Sequence, residues 1–311
     1  MNQRIGCRIP WIGRRRAGLL GTLILVTTVV LGCTQVEPRP DYQRVRELVR
    51  DSTSYDAAYD PTQPGLSTAE IETMINDGVT LDEAVRIALL NNRQLQSEFM
   101  DIGVARADWV QSGLLSNPTL AISVLFPEAG GFADIPINIS QNIVDLWQIP
   151  IRRNVAERRL EETVLRIARS AADLSWNVRR AYYRAVAAEE LAKSAGESLE
   201  LLQKSLDTVS AQLQAGAVRS IDKNLARAEM LRAQLALAAA RVNDRNTKRE
   251  LIKLLSLSPS VTLFRLNDPL PPGDTLPDSE DLITLALEKR LDLRSLERAA
   301  DAAEQEIRME Y

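Results

Sequence analysis

Few residues in this chain are equipped for chemistry. There is no histidine among the 311 residues, and the only cysteines are Cys7 and Cys33. Without histidine, imidazole-ligated metal sites are excluded, and so are serine or cysteine nucleophiles activated by an imidazole. Two cysteines give no disulfide framework and no CxxC site. Adjacent carboxylates occur at Glu161-Glu162 and Glu189-Glu190. They read as coiled-coil surface charge, not as acid–base dyads. No phosphate-binding loop and no nucleophile motif is present. The net charge is −4, and the first 32 residues carry five arginines and no acid, which leaves −9 on residues 33–311. Nucleic-acid binders are more often basic. The expectation is a chain with no cofactor, no metal, no nucleic-acid partner and no enzymatic activity.

Cys33 is the residue with a chemical setting. Arg14, Arg15 and Arg16 precede a mostly apolar run over 17–31. A basic start followed by about 15 such residues reads as a secretory signal and is too short for a membrane-spanning helix. The run ends in Val30-Leu31-Gly32-Cys33, which resembles a bacterial lipobox. There, cleavage after the glycine leaves the cysteine as a lipidated first residue. Val30 and Leu31 fit more loosely than the usual leucine and small residue, and ordinary cleavage beside an incidental cysteine is the alternative. The expectation is a lipoprotein signal peptide over 1–32 with Cys33 as the lipidation site.

The elements that would position anything else are long. From Leu160 to Leu213, strides of four and three residues land on 16 apolar positions without a miss, and the central five are Ala181, Ala185, Ala188, Ala192 and Ala195. That alternation is the heptad seam of a supercoiled helix. Pro150 to Ala215 would then be a rod of about 100 Å. Ala215-Gly216-Ala217-Val218 follows, then a second helix over about 220–257, so the two fold back as a hairpin with Gly216 ending the first helix. Before the rod, 33–79 reads as an extended arm rich in Pro, Tyr, Asp and Thr, with a short helix over 67–75. Thr80 and Glu83 form a capping box that opens a helix over 81–114. Two runs of period two separate this helix from the rod. In 119–126, Leu120, Ile122, Val124 and Phe126 point one way. In 134–143, Ile135, Ile137, Ile139 and Ile143 oppose Asn138, Ser140 and Asn142. Such alternation suits a strand with lipid on one face and water on the other, and equally an amphipathic hairpin on a soluble core. Phe126, Phe132 and Trp147 are placed as interface aromatics. A β-hairpin is therefore expected over 117–144. A proline-rich linker occupies 258–278, and after it the chain repeats itself. Ala88-Leu89 and Leu95-Gln96-Ser97 match Ala286-Leu287 and Leu293-Arg294-Ser295 at a constant offset of 198. Residues 80–257 are read as one repeat and 279–311 as the start of a second, truncated one.

The order and spacing of these pieces resemble the TolC-like outer-membrane factor family, the outer-membrane efflux proteins. The resemblance covers roughly residues 66–311. It is carried by the stretch from Leu81 to Asn92, Asn117-Pro118, the strand near Ile139-Ser140-Gln141, and Ala215-Gly216-Ala217 with Leu225-Ala226-Arg227-Ala228-Glu229. It implies a mainly α fold, with long antiparallel coiled-coil hairpins as an α-barrel protomer and a β-hairpin contributing to an oligomeric transmembrane β-barrel. It further implies a homotrimer embedded in outer-membrane lipid and extending into the periplasm. The trimer would work as a passive duct with a periplasmic adaptor protein and an inner-membrane pump. Ala215, Gly216, Ala217 and Val218 fall where that family's adaptor-docking tip lies. Arg219 and Asp222 are candidate pore-end charges, with a solvated helix end as the plainer reading. Arg152 and Arg153 read as solvating the start of the rod. A periplasmic adaptor would show β-rich halves flanking the hairpin, and a structural coiled-coil lipoprotein would not need the alternation at 135–143 or the duplication.

Overall fold

The computed structural model describes residues 36–63, 65–125, 132–258, 261, 264–273 and 279–310. The signal peptide, Cys33, Phe126 and the loop through Gly130-Gly131 lie outside the described residues. In chain order the elements are α1 (Arg39–Thr53), α2 (Thr68–Asp77), α3 (Leu81–Asn91), α4 (Arg93–Ser112), β1 (Thr119–Ile122), β2 (Ile137–Ser140), α5 (Asp145–Gln214), α6 (Ser220–Leu254), α7 (Ser279–Lys289) and α8 (Leu291–Glu310). This is the expected mainly α architecture with one small antiparallel sheet.

Five helices, α1, α3, α4, α6 and α8, pack on α5. Its 70 residues span about 105 Å. None of the 16 seam positions is exposed. From Leu160 to Ala188 all are buried except half-buried Leu174, and from Ala192 to Leu213 all are half-buried. The difference has a packing cause. The main core gathers α5 residues only as far as Val186, together with residues of α1, α3, α4 and the end of α6. Beyond that point α5 and α6 run as an antiparallel pair, with Lys248 Nζ 2.9 Å from Glu189 Oε2. Farther down, Leu237 packs over Gly196. At its far end α6 meets α4. Asn92 Nδ2 donates to the Leu254 carbonyl at 2.9 Å, and Asn91 Nδ2 to that of Leu255 at 3.0 Å. Two shorter helices thus lie end to end beside the long one.

Three expectations need correction. The stretch 33–79 is not simply an extended arm. Pro38 and Arg39-Pro40 start a helix, α1, whose Tyr42, Val45, Leu48 and Val49 form one buried face. The charged residues between them hide that period. The helix expected over 81–114 is two helices. Asn92 is extended (φ −65°, ψ 118°), and its Oδ1 accepts the Leu95 N–H at 3.0 Å, so it caps α4 while its amide receives the end of α6. The linker over 258–278 is not a plain spacer, because 265–268 is knitted to the residues before α3. Val79 and Leu266 form a parallel bridge, with Val79 N–H donating to the Arg265 carbonyl at 2.8 Å. The fully buried Tyr182 hydroxyl donates to the Val79 carbonyl at 2.8 Å and accepts the Asp268 N–H at 3.1 Å. Asp268 Oδ2 then accepts the Leu81 N–H at 2.6 Å, which helps cap α3. Gly78 (φ +90°) lets Asn267 lie against its backbone where any Cβ would collide.

At an offset of 198, α7 and α8 repeat the bounds of α3 and α4, with 11 and 20 residues in each pair. The environments differ. Val85, Ile87 and Leu89 of α3 are fully buried, whereas their counterparts Ile283, Leu285 and Leu287 on α7 are 52–65% exposed.

Candidate functional site

Two regions carry the candidate residues, the strands at one end of α5 and the turn at the other. In the hairpin, Leu120 pairs with Ile139 and Ile122 with Ile137, while Thr119 pairs with Ser140 and Ala121 with Asn138. Cross-strand partners share a face. One face is therefore wholly aliphatic and the other small and polar. The four aliphatic residues are 59–76% exposed. An isolated bridge at Leu125–Asp134 extends the pairing toward the loop.

The base of the hairpin is closed by a residue the sequence reading passed over. Asp145, in the first turn of α5, is 3% exposed. It accepts hydrogen bonds from the Ser116 N–H at 3.0 Å and from the Ser116 hydroxyl, and Asn142 Nδ2 donates to it at 3.3 Å. Arg152 lies 3.6 Å away. The bonds from Ser116 hold its carboxyl below the usual carboxylate range. Ser116 precedes β1 and Asp145 follows β2, so this cluster ties the two strand exits to the helix. Its sequence signal is slight, a serine before Asn117-Pro118 and an Asn-x-x-Asp step after the strand. The helix accordingly starts at Asp145, not at Pro150, which sits in its second turn.

At the other end, the turn is a Schellman motif. Gly216 has φ +73°, its N–H donates to the Leu213 carbonyl at 3.0 Å, and the Ala217 N–H donates to that of Gln212 at 2.9 Å. Ala215, Gly216 and Ala217 are exposed and Val218 half-buried, and nothing lies within 4 Å of a Cβ placed on Gly216. Arg219 and Asp222 engage each other. The Arg219 N–H donates to Asp222 Oδ2 at 3.0 Å, and its guanidinium lies 3.7 Å from the same oxygen. Asp222 thereby satisfies the start of α6, where a carboxylate is favourable. The structure does not bring the strand residues and the turn residues together. They sit at opposite ends of one helix. Among the described residues no cluster of potential metal ligands occurs, and no helix is long and apolar enough to cross a membrane.

No protein-family model matches the chain, and no curated protein is significantly similar to it. Solved structures are. The Campylobacter jejuni CmeC outer membrane channel aligns with a TM-score of 0.59 at 19% identity, over 79% of this chain and 55% of that one. The outer-membrane channel OprN gives 0.59 at 19% identity, over 83% and 60%. The open state of the Neisseria gonorrhoeae MtrE outer membrane channel gives 0.56 at 20% identity, over 72% and 53%. This chain spans little more than half the length of these neighbours. An exposed one-faced β-hairpin, a tied strand exit and a long two-helix hairpin ending in a bare turn are parts of one architecture, and it is the fold of the TolC-like outer-membrane channels.

Proposed function

We propose that this chain is the outer-membrane channel component of a tripartite efflux or export system, a passive duct through the outer membrane and periplasm. The observation that carries this reading is the hairpin. Four aliphatic residues share one exposed face, and four small residues share the other. In water that face is a liability, whereas in a barrel wall it meets lipid while the small residues meet the lumen. Two strands cannot close a barrel, so further strands must join them, and the resemblance points to a trimer.

The helices support lateral assembly. On α6, Ile221, Leu225, Ala228, Leu235, Ala239 and Val242 form a second stripe of four-three spacing, broken only by Arg232. Its four larger members are 47–73% exposed. On α5, Leu191, Ser194, Ser198, Leu201, Ser205 and Thr208 are all exposed and mostly small. On the same stretch of α5, Glu190, Glu197, Glu200 and Asp207 are exposed, while α6 carries eight Lys and Arg to four Asp and Glu. Because Leu237 packs over Gly196, a neighbouring copy at the same height sets Leu235 beside Ser198.

Lipidation of Cys33 fits this placement. α1 runs antiparallel to α4, with Asp41 of its first turn 3.7 Å from Arg106. Its start therefore lies toward the strands, where a chain arriving from a membrane anchor has to enter. The exposed turn 215–218 is the adaptor-docking tip in this reading, with Arg219 and Asp222 as charges at its pore end. The test is ion conductance of the purified full chain in planar bilayers. Discrete channels are expected, and Leu235→Cys with Ser198→Cys should crosslink separate copies in the same sample. Absence of both conductance and crosslinks would remove the channel reading.

A further inference from the structure

Just below the strands, three side chains meet that no part of the duct reading uses. Trp109 lies in the last turn of α4. The guanidinium carbons of Arg153 and Arg106 stand 4.4 and 4.5 Å from its ring centroid. Arg153 is exposed, and its stem crosses Gly113, where a Cβ would touch it at 3.8 Å. Among the described residues no carboxylate lies in ion-pair range of Arg153. Arg152 beside it is engaged by Asp145, and Arg106 by Asp41. The Trp109 indole N–H is buried without a hydrogen-bond partner, a donor that ordinarily finds one.

The height of this cluster is informative. Arg153 lies about 12 Å along α5 from Asp145, which marks the strand exit. Around that exit sits an apolar collar of Leu114, Leu115, Ile143, Val144, Leu146 and Trp147, each 43–70% exposed. Going down from the strands, the surface changes from aliphatic, to a leucine and tryptophan collar, to arginine around an indole. The headgroup layer of a bilayer is roughly 5–8 Å thick on each side, and the Arg153 stem, which passes Gly113 on the strand side of Trp109, carries its guanidinium back toward that layer.

We propose that Arg153, Trp109 and Arg106 form a binding site for the phosphate of an anionic lipid at the periplasmic surface of the outer membrane, fixing how deep the barrel sits. The proposal rests on the channel reading. Asp41 of α1 reaches Arg106 on this face, and a helix laid inside the duct would obstruct it, so the face is the outer one. Asp41 and Glu157 line a cavity of about 290 Å³ beside Trp109 that Arg153 does not line. Asp41, in ion-pair range of Arg106, tempers that guanidinium and leaves Arg153 as the main anion contact. A guanidinium donates to phosphate oxygens in a fork, and an indole is at home in the interface. Free phosphate offers the same oxygens, but the apolar collar above the site selects a lipid.

The experiment compares flotation of the full chain with phosphatidylcholine vesicles and with vesicles of phosphatidylcholine mixed equally with phosphatidylglycerol. Arg153→Gln is expected to weaken binding to the anionic vesicles about 5-fold, and Arg153→Gln with Arg106→Gln up to about 30-fold, with neutral vesicles little affected. Arg153→Lys should restore most of the loss, and high salt should erase the difference. Circular dichroism of each variant controls for folding. Equal binding of Arg153→Gln and wild type to anionic vesicles would overturn the proposal. So would inorganic phosphate that binds the detergent-solubilised protein and abolishes the difference, because the site would then be one for free anions. Protease protection of residues 119–140 on the same vesicles separates the two readings. Protection without an effect of Arg153 sinks the lipid site alone, and no protection sinks both.

Discussion

Single residues decide where this chain is held and where it is free to turn. Tyr182 is the clearest case. Its hydroxyl is the one group that bonds both the Val79 carbonyl before α3 and the Asp268 N–H of the returning segment. Tyr182→Phe leaves the Asp268 N–H without its partner and takes one of two donors from the Val79 carbonyl, which keeps the Asn267 N–H; it should cost about 1–2 kcal/mol, read as a lower midpoint in thermal unfolding followed by circular dichroism. Burial pushes the phenol up to about 12 from an ordinary value of 10.0. A folded-state value above the unfolded one stabilises the fold fully below pH 10 and is lost as pH rises through 12. Wild type should therefore lose stability across that window by a component that Tyr182→Phe lacks, and parallel pH curves for the two would contradict the assignment. Neither this residue nor Asp145 was legible in the sequence. In the heptad of α5, Tyr182 stands next to a seam alanine, and its value comes from segments about 86 and 103 residues away. Asp145 carried no signal of its own because its partner Ser116 lies across the hairpin.

At the scale of elements, periodicity was readable and interruptions were not. The seam from Leu160 to Leu213 appears in the structure without an exposed position, since a four-three repeat admits one packing face. The Thr80–Glu83 capping box is present as spaced, with the Thr80 N–H donating to Glu83 at 2.8 Å. The break at Asn92 was hidden because the apolar period continues across it. What stops α3 is a tertiary contact, the Leu254 carbonyl at the end of α6. The helix α1 was missed because a proline-rich start and four arginines obscure one buried stripe. The turn at Gly216 was legible, and its conformation yields a prediction. With φ +73° and open space around it, Gly216→Val costs backbone energy and not a clash, about 1–2 kcal/mol, with Gly216→Ala milder than Val. If the turn is also the docking tip, Gly216→Val should raise substrate accumulation in cells and remove crosslinks from position 217 to the adaptor. Normal export by Gly216→Val would place the adaptor contact elsewhere.

At the scale of the molecule, the rod sets the β-hairpin and the Gly216 turn about 100 Å apart. The order of elements could be read from sequence because each announces itself locally, by heptads, by alternation and by a glycine turn. The knitting near Val79 and Leu266 could not, because it joins segments separated by the whole rod. The solved channels share this fold at 19–20% identity over little more than half their lengths. The function of this chain therefore hangs on whether its strands line a water-filled pore in a membrane. The direct measurement is thiol labelling in cells. Single cysteines at 137, 138, 139 and 140 are exposed to a membrane-impermeant maleimide, with the unsubstituted chain as the blank. Residues 138 and 140 share the small polar face and 137 and 139 the aliphatic one. Labelling at 138 and 140 with protection at 137 and 139 is the predicted result, and equal labelling at all four positions would contradict it.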